Sequence, residues 1–422
     1  MFNEMDTTLM NPEVIVADTD YRAKKVLFVP DSIWGDLSGH RSSKYLVKAF
    51  NNVGVKVGVY APKEGYTAEQ ALEFEDSFMY FEQTTYSYRH NIFSTNIEKE
   101  FLSIINSFKP DYVFYMGSII NKVTMDVCIK HGIKYSYLPL TTEYYCVKNF
   151  AGLDDGPCIQ CIKSPISSPL KNTCLGPPKS NFFKYFKMIL FLMKSKPRIL
   201  NADKIIGYSD NQLSYLEKYG APNSRMLRMP IFFDSDTIKG IASSPGDYFV
   251  MAGQNITAKG WHIIPHIIKQ SKNIKYKLIM RDEAQATKFI HDNDLAKYLE
   301  SGLIEILLYL KTHREVLEVV AKSRGVLVPS YYATTGEFYL LEALGLGKPV
   351  VVFDAGIHGE IINNEENGMI SRVGDLTDFY QNVQKINDDD YLYRKLSNGA
   401  RTLFDELLSF QKFKNSMSRY FS

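Results

Sequence analysis

The stretch from residue 326 to 360, VLVPSYYATTGEFYLLEALGLGKPVVVFDAGIHGE, constrains this chain more than any other. Val326 to Val328 is an apolar run that stops at Pro329-Ser330. A polar turn follows, then a helix-like stretch from about Phe338 to Leu346, a Gly-Lys-Pro break, and a second apolar run from Val350 to Phe353. Strand, loop, helix, strand is the unit from which parallel sheets are built. The loop opens where strand C-termini and a helix N-terminus meet, an arrangement suited to a nucleotide phosphate. Glu342 falls one turn inside the helix, where a plain amphipathic helix has no need of a carboxylate; the alternative is a solvated surface Glu.

The same alternation runs through most of the chain. Lys24 to Pro30 reads as a buried parallel strand, and SSKYLVKAFNNVG as the helix between it and the strand VKVGVYAP. Further strands are expected in Phe108 to Ser118, His131 to Leu140, the stretch after Ala202, Met226 to Phe233, the stretch after Asp247, Tyr276 to Met280 and Ile304 to Leu308. At 422 residues there is room for two domains, and the Pro/Gly/Ser break Ser243 to Asp247 is the natural boundary. The expected organisation is α/β: a first doubly wound, Rossmann-like domain over residues 20–240, a second over 246–405, and a last helix over 406–422. Residues 63–100 have no clean period, and no function is read from them.

Composition excludes several classes. A hydrophobic fraction of 45% and a charged fraction of 23% describe a globular chain, and a net charge of +2 does not by itself point to a nucleic-acid partner. The first twenty residues are acidic and lack the pattern of a secretory signal, and the apolar run Met188 to Met193 is too short to span a bilayer. A cytoplasmic, reducing setting is expected, in which clustered cysteines bind metal rather than form disulfides.

Four of the five cysteines cluster. Cys146, Cys158, Cys161 and Cys174 have the spacing C-x11-C-x2-C-x12-C, suited to a closed four-sulfur structural zinc clip over 146–174; free thiols in a loop or an iron–sulfur cluster are the alternatives. Cys128 reads as a packed helix residue. Just beyond, residues 179–198 mix lysines with Phe, Leu and Met at helical spacing. That pattern suits either a core helix with a basic outer face or a peripheral helix lying on the anionic inner surface of a membrane.

The central block resembles the sugar-nucleotide-binding motif of retaining GT-B glycosyltransferases of family four. Pro329, Ser330, Leu341, Glu342, Ala343, Gly347, Pro349, Val350 and Val351 carry the resemblance, which extends over most of the chain and is densest from about Lys204 onward. It implies two Rossmann-like domains facing a cleft, the second binding the donor. Glu342 would accept hydrogen bonds from the donor ribose hydroxyls. The family's other motif glutamate falls at Thr334, with Glu337 three residues later. Lys259 matches a lysine that neutralises the donor diphosphate, whereas Gln254 stands where an arginine is usual, with Arg281 as a candidate substitute. The resemblance thus marks Lys259, Glu337 and Glu342 as catalytic candidates. It marks Gly253, Gln254, Arg281, Ser330, Thr334, Thr335, Gly336, Phe338 and Leu341 as further donor-side residues, with the turn Leu310 to His313 beside the base.

Gly39 and His40 resemble the family's glycine-containing cleft loop, though a turn glycine and a helix-start histidine explain them as well. Where relatives have His-Asp the chain has Thr141-Thr142-Glu143, leaving Glu143 as an acceptor-side group or a surface residue. Gly356, Glu360 and Gly368 match the family's punctuation after the second strand. The function implied is transfer of a sugar, with retention, from a UDP- or GDP-type donor to a hydroxyl of a glycan, lipid-linked glycan or other acceptor, without a catalytic metal. Two rivals are a degenerate GT-B protein that binds without turnover and an enzyme whose acceptor is nucleic acid.

Overall fold

The computed structural model describes residues 20–34, 38–63, 78–83, 95–117, 122–153, 156–271, 273–308, 310–407 and 410–422. The acidic leader before residue 20 and most of the stretch from 63 to 100 lie outside them.

The first sheet contains β1 (Lys25–Pro30), β2 (Lys56–Ala61), β3 (Met79–Glu82), β4 (Tyr112–Gly117), β5 (Tyr135–Pro139), β6 (Lys204–Gly207) and β7 (Met226–Arg228), in the spatial order β3-β2-β1-β4-β5-β6-β7. All its pairings are parallel. Its central strands, β1, β4 and β5, are almost wholly apolar and buried because both faces are covered, while the edge strands β3 and β7 carry exposed residues such as Met79 and Arg228. Side chains alternate between the faces: Leu27, Val29, Val113 and Tyr115 enter one core, while Val26, Phe28, Phe114 and Met116 enter the other.

The second sheet is built the same way from β8 (Tyr248–Ala252), β9 (Lys275–Ile279), β10 (Ile304–Leu307), β11 (Gly325–Val328), β12 (Val350–Phe353) and β13 (Met369–Ser371). The order is β10-β9-β8-β11-β12-β13, again parallel. In each sheet the strand order reverses once, between β1 and β4 in the first and between β8 and β11 in the second. These reversals are the switch points where open α/β sheets bind ligands.

Six helices matter below: α1 (Ser38–Asn52), α2 (Phe182–Leu200), α3 (Asp210–Tyr219), α4 (His313–Ala321), α5 (Phe338–Gly345) and α6 (Phe410–Phe421). The last returns to the first sheet, where Phe413, Met417 and Tyr420 are buried with Phe28, Phe50 and Phe114 and the Tyr420 hydroxyl lies 2.9 Å from Ser136 Oγ. Across the domains, Glu360 accepts from the backbone N–H groups of Asp210 (3.1 Å) and Asn211 (2.6 Å) at the start of α3. A carboxylate from the second domain thereby caps a helix of the first, where the free amides and the dipole favour it.

Gly356, part of the punctuation after β12, follows Ala355 directly. It has φ of 57°, and a Cβ there would lie 2.4 Å from the backbone nitrogen of Thr334. The close approach is to the chain's own central loop.

Candidate active site

The two switch points face each other across a cleft of about 530 Å³, a volume in the range of small-molecule sites. From the first domain it is lined by Asp31 after β1, Met116 and Gly117 at the end of β4, residues 39–43 at the start of α1, and Leu140 and Thr141 after β5. From the second come Gly253, Gln254, Lys259, Arg281, the turn 310–313, Tyr332 and the start of α5.

Two buried ion pairs organise the wall. Lys259 donates from Nζ to Glu337 Oε1 at 2.6 Å, and Glu337 also accepts from Ser330 Oγ (3.1 Å) and lies 3.1 Å from His358 Nε2. Burial pushes the Glu337 carboxyl up, but Lys259 and His358 outweigh it and hold it well below the usual carboxylate range. Burial likewise pulls Lys259 down, and Glu337 with Tyr332 more than restores it, so the ammonium is fixed in its charged form. Gly260 makes this possible: its φ is 77°, and a Cβ there would lie 2.2 Å from the carbonyl oxygen of Pro329. The turn carrying Lys259 therefore presses directly on the loop that leads to Glu337.

The second pair joins the two domains. Arg41, in the first turn of α1, donates from Nη1 to Glu342 Oε1 at 2.6 Å, and His313 Nε2 lies 2.9 Å from the same oxygen. Arg41 also meets His313 directly. Glu342 is fully buried, so the reading of a solvated surface residue is set aside. Burial raises its carboxyl; Arg41 and His313 reverse the direction and keep it ionised. Its Oε2 has no hydrogen-bond partner within the protein.

The remaining candidates divide. Gly39, His40, Gly253, Gln254, Arg281, Thr335, Gly336 and Phe338 line the cleft, and Thr335 Oγ1 also donates across the domains to the carbonyl of Leu140 at 3.0 Å. Ser330 and Thr334 are buried behind the wall, where Ser330 supports Glu337. Leu341 belongs to the core of the second domain. Glu143 is buried, at 2% exposure, and is not among the cleft-lining residues; Thr141 takes that place. Arg41 and His358 were not marked by the sequence, and His313 only as part of a turn. Arg41 does follow directly on Gly39-His40 at a helix start, which was the available signal.

Cys146, Cys158, Cys161 and Cys174 come together at one side of the first domain, close enough that their thiols affect one another's ionisation. As placed they do not make a ligand shell: among the described residues no group of three or more His, Cys, Asp or Glu side chains is positioned to hold a metal ion. Burial pushes the Cys146 and Cys161 thiols up to about 12, the protonated state of cysteines packed in an apolar setting.

Residues 236–403 match the family described as glycosyl transferases group 1. The chain carries a group 1 glycosyltransferase domain. No match to the sequence is found among the curated proteins. Solved structures resemble nearly the whole chain. Sucrose-phosphate synthase from Thermosynechococcus elongatus is 14% identical, covering 94% of this chain and 98% of that one, with a TM-score of 0.66. TarM from S. aureus, solved with UDP, fondaparinux and α-GlcNAc-glycerol, is 11% identical over 94% and 100% of the chains, with a TM-score of 0.65. Anabaena HepE, solved with UDP-glucose, is 12% identical over 94% and 98%, with a TM-score of 0.63. At these identities the likeness is one of fold, and that fold is GT-B. Within it the group 1 domain contributes Lys259, Glu337 and Glu342, and the first domain contributes Arg41.

Proposed function

We propose that the chain transfers a sugar from a UDP- or GDP-type donor to an acceptor hydroxyl, with retention of configuration at the anomeric carbon. The observation that carries this reading is the pair of buried cation–carboxylate contacts, Lys259–Glu337 and Arg41–Glu342, facing one cleft from the switch points of two sheets. Glu342 Oε2, ionised and without a protein partner, accepts from the donor ribose hydroxyls. As the ribose takes over Glu342, Arg41 passes to the diphosphate and supplies the cation that Gln254 does not. Lys259 and Arg41 then balance the charge that grows on the leaving group.

In the transfer itself the bond from C1 of the sugar to the phosphate oxygen breaks, and its electron pair stays on that oxygen. The acceptor oxygen bonds to C1 from the same face, and its proton passes to the leaving phosphate. Glu337 and Glu342 are engaged with cations, and this route asks neither to act as a nucleophile, unlike the paired carboxylates of glycosidases. The UDP and UDP-glucose bound by TarM and HepE support the class of donor.

The test is a panel of UDP-, GDP-, ADP- and dTDP-sugars, read by donor hydrolysis and by thermal stabilisation in wild type and Glu342→Ala. Hydrolysis of, and stabilisation by, one donor, both lost in the variant, are expected. Stabilisation without hydrolysis or transfer would assign the chain to the non-catalytic GT-B class, the reading that Gln254 in place of arginine favours.

A further inference from the structure

Helix α2 has two apolar faces, and among the described residues only one is packed against the rest of the chain. Tyr185, Phe191, Leu192, Ser195 and Ile199 are buried. Phe191, Leu192 and Ile199 join the core of the first domain, and the Tyr185 hydroxyl ties the cysteine-bearing segment to the helix by accepting from Leu175 N–H (2.9 Å) and donating to the Gly176 carbonyl (2.8 Å). Phe182, Phe183, Phe186, Leu190 and Met193 point the other way and are exposed, Phe183 at 84% and Phe182 at 63%. At about 100° per residue these five fall within a single sector of about 100°, opposite the buried face. They form one continuous outer ridge. The expectation of a core helix with a basic outer face is thus half right: the outer face is apolar, with lysines along its edges.

Exposed single hydrophobics are ordinary; a ridge is not. Among the described residues eleven large hydrophobics are exposed, and six of them, these five and Ile166, lie between Gly156 and Ala202. The same stretch has no Asp or Glu and carries seven lysines and one arginine. It holds +8 in a chain of net charge +2, so the rest of the molecule sums to −6. Lys187 and Lys194 follow one edge of the ridge and Lys196 the other, all exposed. Lysines can bury their stems beside an apolar surface while their charges meet anionic groups outside it. No helix among the described residues is long and apolar enough to cross a membrane, so the matching partner is one that α2 can lie on.

We propose that α2 docks the protein on an anionic lipid bilayer, with Phe182, Phe183, Phe186, Leu190 and Met193 entering the interface and the flanking lysines pairing with acidic headgroups. The proposal rests on the fold and the surface alone and stands apart from the glycosyl-transfer reading. It also has a geometric consequence. The segment that ends in α2 begins at the cleft wall: Thr141 and Phe150 line the cleft, and the Phe150 ring meets Tyr332 of the second domain with centroids 5.1 Å apart. The proposed bilayer contact is thus on the first domain, the one that faces Lys259, Glu337 and Glu342 across the cleft.

The test is flotation of the full-length chain with phosphatidylcholine vesicles, with and without phosphatidylglycerol, for wild type and two variants. One variant is Phe182→Ser/Phe183→Ser/Phe186→Ser, and the other is Lys187→Gln/Lys194→Gln/Lys196→Gln. Wild type should float with the anionic vesicles and bind neutral ones about tenfold less. The phenylalanine variant should lose flotation at any salt, and the lysine variant should lose it at moderate salt. Because the three phenylalanines are exposed, circular dichroism and melting temperature should stay at wild-type values. Three results would each overturn the proposal: wild type that stays unbound, a phenylalanine variant that floats as well as wild type, or a lipid-free dimer abolished by that variant, which would make the ridge a contact between copies. Salt-sensitive retention of RNA or DNA without vesicle binding would overturn it in favour of a nucleic-acid surface.

Discussion

Replacing Arg41 with Ala separates a domain staple from a group that acts on the donor. Glu342 Oε1 loses its 2.6 Å partner and keeps only His313, while Oε2 already lacks one. Breaking a fully buried ion pair costs about 3–5 kcal/mol, but Arg41 borders a cleft that admits water and His313 can share the charge. The expected loss of stability is therefore about 2 kcal/mol, that of one charge-assisted hydrogen bond. Removal of a cation from the departing diphosphate should slow donor cleavage about 10²–10³-fold, the range for one preorganised electrostatic group. Calorimetry should show weaker UDP binding to Arg41→Ala, with uridine binding equal or tighter because Glu342 is freed. Gln254→Arg, added to Arg41→Ala, returns a positive charge to the opposite wall and should recover at least about tenfold of the lost cleavage rate. If Arg41→Ala melts earlier yet cleaves donor within about threefold of wild type, where a true loss would be 10²-fold or more, Arg41 only holds the domains together. If wild type binds none of the nucleoside diphosphates, the donor-site reading itself fails.

Glu337→Gln keeps the shape of the side chain but leaves Lys259 facing a neutral amide, so thermal or urea unfolding should show a loss of about 2–3 kcal/mol together with weaker UDP binding. Stability unchanged by this substitution would mean that the pair merely offsets its own desolvation. Both cleft carboxylates are held below their ordinary range by their cations. Their contribution is fully present above the unfolded value of about 4.3 and is lost as pH falls through the lower folded values. The melting temperature of wild type should fall below about pH 4 more steeply than that of Glu337→Gln, and superimposable acid profiles would contradict this. Elemental analysis should find about one zinc per chain if the four cysteines draw into the closed shell that their spacing suits. A folded chain without metal, with an unchanged melting temperature in chelator, would return them to packed free thiols, the arrangement in which the structure places them.

The parts of the fold readable from sequence are those governed by local pattern. Apolar runs with turn residues at their ends located β1, β8, β11 and β12, and a carboxylate one turn inside an apolar helix singled out Glu342. Lys259 stood out by resemblance and Glu337 only as the carboxylate three residues beyond the motif position held by Thr334, and the structure joins the two in one contact. What could not be read was which remote loops meet. Arg41 and Glu342 are 301 positions apart, and His358 reaches Glu337 from the far side of β12. No periodicity encodes such pairs, because they follow from the docking of one domain on another. Helix α2 shows the same limit. Its two apolar stripes look equally suited to a core in sequence, and only packing decides that Leu192 and Ile199 are covered while Phe183 and Phe186 are not.

The pre-paired cleft also bears on why a chain lacking the usual arginine at Gln254 could still hold a diphosphate. An arginine on the loop after β8 would belong to the same domain as Lys259 and would face the donor whether the domains were apart or together. Arg41 belongs to the other domain and reaches the site only when the two are docked, as the Thr335–Leu140 and Glu360–Asp210 contacts hold them here. On the proposed function, moving the second cation across the cleft would tie charge neutralisation to domain closure: the donor would meet one fixed charge on binding and the second only with the domains docked around it. The Arg41→Ala/Gln254→Arg chain would then cleave donor with less dependence on closure, and its ratio of donor hydrolysis to transfer should rise above that of wild type. A ratio equal to that of wild type would place the second cation's action after closure in both chains and remove the coupling.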